Sequence, residues 1–161
     1  MTRLNSLSIG DVFRAKTKIT NGVDNHIYII IARIGDGPKY LAVNLTSIKS
    51  DKDKKGRVIV DPTIRTDLPN CIDTVSILTY IFQRIKEVDY KDVNRLIRGD
   101  QVTEFHPQGM PEDLLFKIQQ EARDSEDIPT RFIPDLAREV IMQQSLRPMI
   151  ARRLPPRTSE Q

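Results

Sequence analysis

The order of its segments predicts an α+β fold, with a small antiparallel β-barrel first and helices after it. β-branched and apolar runs separated by turn residues fill the first half of the chain, and helical periodicity replaces them after residue 90. With 161 residues, the chain is long enough to bury roughly two-thirds of its unfolded surface. We therefore expect a barrel domain over residues 1–105, a helical extension over 106–146 and a basic, disordered tail over 147–161.

The barrel is expected to begin with two strands. After a turn at Gly10-Asp11, residues 12–16 alternate between apolar and polar side chains, which is typical of a half-buried strand. Turn-forming residues fill positions 17–25 and predict a loop. The run 27–34 is β-branched and apolar without alternation, so we expect a strand covered on both faces.

The remaining β-structure follows in short segments. A turn over 35–38 should return the chain as a strand over 39–46, which forms a hairpin with 27–34. After a charged loop at 50–56, short strands are expected over 57–60 and 76–82.

Helices dominate the rest of the chain. A short helix is expected over 91–98, ending at Gly99 in the left-handed conformation, and a further strand over 102–105. Helices should also begin at Pro111 and Pro134. Their core-facing side chains are expected to be Leu114, Leu115, Ile118 and Ala122 in the first, and Leu136, Val140 and Ile141 in the second.

Composition excludes several classes of protein. A single cysteine, Cys71, cannot form an intramolecular disulfide, and with only His26 and His106 a four-ligand zinc site is close to excluded, so we expect no metal and no cofactor. The chain contains no glycine-rich phosphate loop, Gly-x-Ser-x-Gly, His-Glu-x-x-His or Cys-x-x-Cys motif. A pair formed by Cys71 and a distant histidine stays open, although a lone cysteine is more often a small core residue.

No membrane association is expected. The longest apolar stretch, 27–32, is too short to cross a bilayer. The first residues form no apolar segment of the secretory type, so a cytoplasmic location is expected.

Charge is distributed unevenly. Residues 1–60 carry 11 Lys and Arg against 5 Asp and Glu, whereas residues 61–146 carry 10 against 16. A basic first half is typical of a surface that faces phosphate groups, although solvated faces that differ in sign are the alternative.

Polar side chains cluster where the predicted hairpin opens. His26 immediately precedes the strand 27–34, and Thr46 and Ser47 end its partner. An imidazole beside two hydroxyls, followed by Lys49 and Lys52, is able to bind a phosphate and transfer a proton near neutral pH. Ordinary turn-capping roles for these residues are the alternative.

The chain resembles the MazF/PemK/Kid toxin family over about residues 8–100. In order, the similar features are Gly10-Asp11-Val12-Phe13, the apolar strand 27–32, the strand 40–47 ending in Thr46-Ser47, the strand 76–78 and the helix 91–98. The family's Arg-Pro step is absent, and His26-Ile27 occupies its place.

This resemblance implies a barrel of the MazF/PemK (CcdB-like) type and metal-independent cleavage of single-stranded RNA. The family's catalytic threonine falls on Thr46, with Ser47 beside it and His26 in the position of the missing arginine. A homodimer and an antitoxin protein are the implied partners. The side chains predicted to bind the RNA strand are Lys49, Lys52, Lys54, Arg14 and Lys16.

Two other classes of function stay open. The first is a non-catalytic barrel of the same fold that binds a protein partner or nucleic acid, as CcdB-like members target a protein. The second is an unrelated β-barrel adaptor or a phage-type structural protein. A basic cleft at which His26 and Thr46 converge would favour RNA, whereas an apolar groove would favour a protein partner.

Overall fold

The computed structural model describes residues 3–19, 22–48, 56–80 and 85–153, which form a seven-stranded antiparallel sheet and three helices. The α+β class is thereby confirmed. The strands are β1 (Val12–Ile19), β2 (Gly22–Arg33), β3 (Tyr40–Ser47), β4 (Ile59–Val60), β5 (Ser76–Thr79), β6 (Lys86–Val88) and β7 (Val102–His106). The helices are α1 (Tyr90–Arg98), α2 (Glu112–Asp124) and α3 (Ile133–Arg153), and a 3₁₀ turn over Thr130–Phe132 leads into α3.

The predicted hairpin of β2 and β3 is confirmed. Ile27 lies opposite Leu45 and Tyr28 opposite Asn44, and the register shifts between Ile30 and Ala32 at a β-bulge. Residues 28–32 are fully or nearly fully buried, as expected of a strand covered on both faces.

The loop predicted over residues 17–25 is wrong. β1 and β2 instead continue as a hairpin, and their pairing extends to Ile19 opposite Gly22. Polar side chains on the outer part of such a hairpin do not prevent pairing, because the backbone supplies the hydrogen bonds.

The expected barrel closure is also wrong. The strands follow the order β4-β5-β3-β2-β1-β7, with β6 beside the first residues of β3, and within the described ranges the end strands β4 and β7 do not pair. Helices cover both broad faces of this open sheet, whereas a barrel buries one face in its interior.

Each face of the sheet has its own core. On the α2–α3 face, Val12, Ile29 and Val43 pack in one cluster with Ile118 and Leu136 of the helices. On the α1 face, the second cluster contains Phe13, Tyr28 and Ala42 of the sheet together with Val93 of α1. The two faces therefore present different surroundings to any site on the sheet.

α1 begins and ends at well-defined caps. Asp89 and Asp92 form a reciprocal capping box at its start. Gly99 ends the helix but has φ −86°, and the left-handed residue is Asp100, with φ 54°. The predicted left-handed stop therefore lies one residue later, since aspartate tolerates this conformation better than most side chains.

The predicted core faces of α2 and α3 are largely confirmed. The four apolar side chains named for α2 are buried, as are Leu136 and Val140 of α3. Ile141 is 60% exposed, so its predicted burial is wrong. The backbone of α3 continues to Arg153, and residues 154–161 lie outside the described part.

The predicted boundary at residue 105 falls within β7, and α2 and α3 share one hydrophobic core with the sheet.

Across the described ranges, no helix is long and apolar enough to cross a membrane.

Candidate functional site

His26 and Thr46 lie on the α1 face of the sheet, on adjacent strands. Each is one residue beyond the last recorded pair of β2 and β3, Ile27 with Leu45, so side-chain alternation directs both to the face of Tyr28 and Asn44. The Cβ atoms of such cross-strand neighbours are about 4.5–5.5 Å apart. Both residues are partly buried, and the His26 ring makes an edge contact with Tyr28, with ring centroids 6.4 Å apart.

Asn44 supports this pair from within the sheet. It is fully buried, and its Nδ2 donates a hydrogen bond to the Ile27 carbonyl oxygen at 3.2 Å. Its Oδ1 has no hydrogen-bond partner among the described residues. The side-chain bond links β3 to the residue after His26 and so stabilises the open end of the hairpin.

The other predicted catalytic hydroxyl is directed elsewhere. Ser47 follows Thr46 and therefore points to the α2–α3 side, where its Oγ lies 3.4 Å from the Thr74 Oγ1. Hence only one of the two predicted hydroxyls shares a face with His26.

Two of the predicted RNA-binding cations also lie on the opposite side of the sheet from His26. Arg14 lies on the α2–α3 side, where its Nη2 donates to the Cys71 carbonyl oxygen at 2.6 Å, and alternation along β1 places Lys16 on that side too. Lys49, Lys52 and Lys54 lie outside the described residues.

A second polar cluster, which the sequence reasoning did not identify, lies beside β7. The Cys71 thiol, the Glu104 carboxylate and the His106 imidazole each supply one atom, and these three atoms lie within 4.8 Å of one another. The His106 Nε2 is 3.1 Å from the Glu104 Oε2. The sequence does contain one indication of this cluster, the spacing of Glu104 and His106, since alternate residues of a strand share a face.

The Cys71 thiol is poorly suited to act as a nucleophile. Burial, followed by the nearby Glu104 carboxylate, raises the pKa of Cys71 to about 11. Reactive thiols instead have lowered pKa values. His106 therefore lies where a Cys71–histidine pair requires its histidine, but the raised pKa of Cys71 does not suit a nucleophile.

A groove of 1110 Å³ lies between α2 and the segment 56–65. At its base the Tyr80 hydroxyl donates to Glu121 Oε1 at 2.8 Å, Arg57 Nε contacts the same oxygen at 3.3 Å, and the Val58 backbone N–H donates to Glu121 Oε2. Burial and the Glu121 carboxylate raise the pKa of Tyr80. Ile64 is 78% exposed on the wall of the groove.

Nothing in the composition indicates which carboxylates lie in such a network, because Glu121 looks like any other acidic residue of α2.

Comparison with protein-family models, with curated proteins and with solved structures finds no match to this chain.

Proposed function

We propose that this chain is a metal-independent endoribonuclease that cleaves single-stranded RNA, with His26 and Thr46 as its catalytic residues. The observation that carries this proposal is their position on adjacent strands and on one face of the sheet. The sequence resemblance to MazF/PemK/Kid toxins supports it independently of the sheet.

The reaction needs two proton transfers and a donor to the phosphate. The ribose 2′-oxygen bonds to the adjacent phosphorus, the bond between phosphorus and the 5′-oxygen breaks, and a 2′,3′-cyclic phosphate remains. The 2′-hydroxyl loses its proton to solvent water, and protonated His26 donates a proton to the departing 5′-oxygen. An imidazole is suited to such transfers because its ordinary pKa of about 6.5 lies near neutrality.

Thr46 supplies the second requirement. Its hydroxyl donates a hydrogen bond to a non-bridging phosphate oxygen, on which negative charge develops in the transition state. Protonated His26 supplies the positive charge that the family's arginine provides elsewhere, while the lysine-rich segment after β3 attracts the RNA strand.

The test is cleavage of single-stranded RNA by the purified protein in the presence of EDTA. The wild type should leave 2′,3′-cyclic phosphate ends. His26→Ala should lower the rate by about 10²–10⁴, the usual range for a general acid or base. His106→Gln changes the other histidine of the chain, which lies on β7. It serves as the matched control and should retain the wild-type rate.

The pH profile gives an independent readout. If protonated His26 carries the charge, the rate should fall as pH rises and the imidazole loses its proton. Equal cleavage by the wild type and His26→Ala at every pH would contradict this mechanism.

Binding of a protein partner is the second candidate, and the groove beside α2 favours it. Its wall combines the exposed Ile64 with charged side chains such as Lys117 and Asp127, which suits a peptide segment that carries both apolar and charged residues. Inhibition of growth by the expressed chain without any cleavage of RNA, and with His26→Ala equally inhibitory, would favour this function. Ile64→Glu should then abolish the inhibition.

A further inference from the structure

We propose that Cys71, Glu104 and His106 form a binding site for one Zn²⁺ ion, with a fourth position open to water. One potential ligand atom from each residue lies within 4.8 Å of the other two. The ligand atoms of a tetrahedral zinc ion are about 3.3–3.6 Å apart, given the usual Zn–S and Zn–N distances. Small rotations of the side chains therefore suffice to bring the three atoms around one ion.

The fold holds the three side chains together from separate segments. Glu104 and His106 lie on the same side of β7, and Cys71 lies in the turn closed by the bond from the Ile72 N–H to the Pro69 carbonyl oxygen. Arg14 ties this turn to β1 through the Cys71 carbonyl oxygen. The Cys71 turn and β7 are thus both anchored to β1.

Gly109 allows the same segments to approach closely. A Cβ atom at this position would lie 2.8 Å from the His106 Cβ and 2.9 Å from the Pro69 Cγ. Real Cβ atoms do not come so close to their neighbours, so any larger residue would move either His106 or the turn that carries Cys71.

Access and chemistry both suit a zinc ion. Cys71 is buried, whereas the side chains of His106 and Glu104 are 30% and 39% exposed, which leaves an entry from solvent on their side. A sulfur and an imidazole nitrogen favour Zn²⁺ over Mg²⁺ or Ca²⁺, which prefer oxygen ligands. On binding, the thiol proton passes to solvent and the sulfur bonds to the metal.

Within the described part of the chain, Arg14 is the cation that lies beside the cluster, and its charge is compensated. Its Nη2 lies 3.8 Å from the Asp73 carboxylate as well as bonding the Cys71 carbonyl. A thiolate and a carboxylate together balance the charge of the divalent ion.

The experiment is a titration of the full chain with Co²⁺, a spectroscopic substitute for Zn²⁺. We expect one equivalent to bind, with the near-ultraviolet charge-transfer band of a cobalt–thiolate bond, and Zn²⁺ to displace it. His106→Gln and Glu104→Gln should each weaken binding by at least about tenfold, because even indirect partners of a metal site cost this much. His26→Gln is the matched control and should bind as the wild type does.

Two further variants address folding. Cys71→Ser should lose the charge-transfer band, and circular dichroism checks that this buried change leaves the fold intact. Gly109→Ala retains all three ligands yet should weaken Co²⁺ binding by displacing His106.

Absence of the cobalt–thiolate band in the folded wild type would overturn the proposal and leave Glu104 and His106 as a hydrogen-bonded pair. Equal loss of binding in His26→Gln and His106→Gln would overturn it too. Neither result bears on RNA cleavage, which is measured in EDTA.

Discussion

Thr46 and Ser47 are adjacent in sequence, chemically similar and directed to opposite sides of the sheet. Thr46 shares the α1 face with His26, whereas Ser47 lies beside Thr74. A test of the catalytic site can therefore use one hydroxyl as the control for the other.

We expect Thr46→Val to lower the rate of RNA cleavage by about 10²–10³, the usual cost of removing a donor to a developing oxyanion. Ser47→Ala should leave the rate within about a factor of two, because the Ser47 hydroxyl points to the other side of the sheet. Single-turnover cleavage of one RNA oligonucleotide measures both. A larger loss from Ser47→Ala would contradict the assignment of Thr46.

A second prediction at this scale concerns Arg65, whose guanidinium bridges two carboxylates. Its Nη1 is 2.6 Å from Asp113 Oδ2, and its Nη2 is 2.7 Å from Asp67 Oδ2. The hydrogen bonds to Arg65 lower the pKa of Asp113 to about 2 and lower that of Asp67. A lowered carboxyl pKa contributes stability above the unfolded value of 3.8, and this contribution is lost as pH falls towards 2.

Arg65→Gln should therefore reduce the free energy of unfolding near neutral pH, and the difference from the wild type should shrink below about pH 4. Because both carboxylates are more than half exposed, solvent screening should keep this loss small. Urea unfolding at a series of pH values measures it. Arg95→Gln is the control, since the Arg95 pair with Asp92 is long, at 3.6 Å, and should contribute little. A loss independent of pH would contradict the electrostatic explanation.

At the scale of elements, the β-bulge in β2 is linked to α2. The register shift leaves Ile31 without a partner on β3, and its carbonyl oxygen accepts a hydrogen bond from Gln119 Nε2 at 2.9 Å. Gln119 is fully buried at this contact. The helix thereby satisfies a carbonyl that the sheet does not.

Gln119→Leu should cost about 1–3 kcal/mol of unfolding free energy, because it leaves a buried acceptor unpaired. Gln120→Leu, one residue along α2 and only partly buried, should change the stability by less than about 0.5 kcal/mol. Urea denaturation of the two variants gives the comparison. Equal effects would mean that helix propensity, not the bond to Ile31, determines the result.

Local pattern predicted the elements better than it predicted their association. The β2–β3 hairpin was visible because its strands are apolar and a glycine-containing turn, with Gly35 at φ 55°, joins them. Whether the end strands meet to close a barrel depends on contacts between distant segments, which periodicity does not encode. The burial predicted for Ile141 is wrong for a related reason, because an apolar stripe on a helix does not indicate where the neighbouring element ends.

The same limit applies to the candidate sites. The sequence predicts that His26 and Thr46 lie together, because the two residues flank one hairpin. Cys71, by contrast, meets Glu104 and His106 across separate segments, and only the alternation of the latter two was readable from the sequence.

At the scale of the whole molecule, the charge asymmetry leads to a prediction about salt. The basic first half includes the lysine-rich segment 49–55, which follows the strand that carries Thr46. If this segment attracts RNA, Lys52→Ala should weaken binding equally for all sequences and reduce the salt slope by about one phosphate contact. Affinities of the wild type and the variant at several salt concentrations measure this slope. Lys91→Ala, on α1, is the control, and an unchanged slope for Lys52→Ala would contradict the role.

The pairing of β1 with β7 also determines when the sheet can be completed during synthesis. The first strand forms its hairpin with β2 early, but its other edge stays without a partner until β7 has been made. Asp11 shows the same separation, because its carboxylate accepts from the backbone N–H groups of both Ser8 and Gln108, the latter 97 residues away. The nascent chain therefore carries an open strand edge while residues 20–101 are made, and such edges readily pair with other chains. Conditions that slow translation between these two strands should accordingly promote aggregation of the newly made protein.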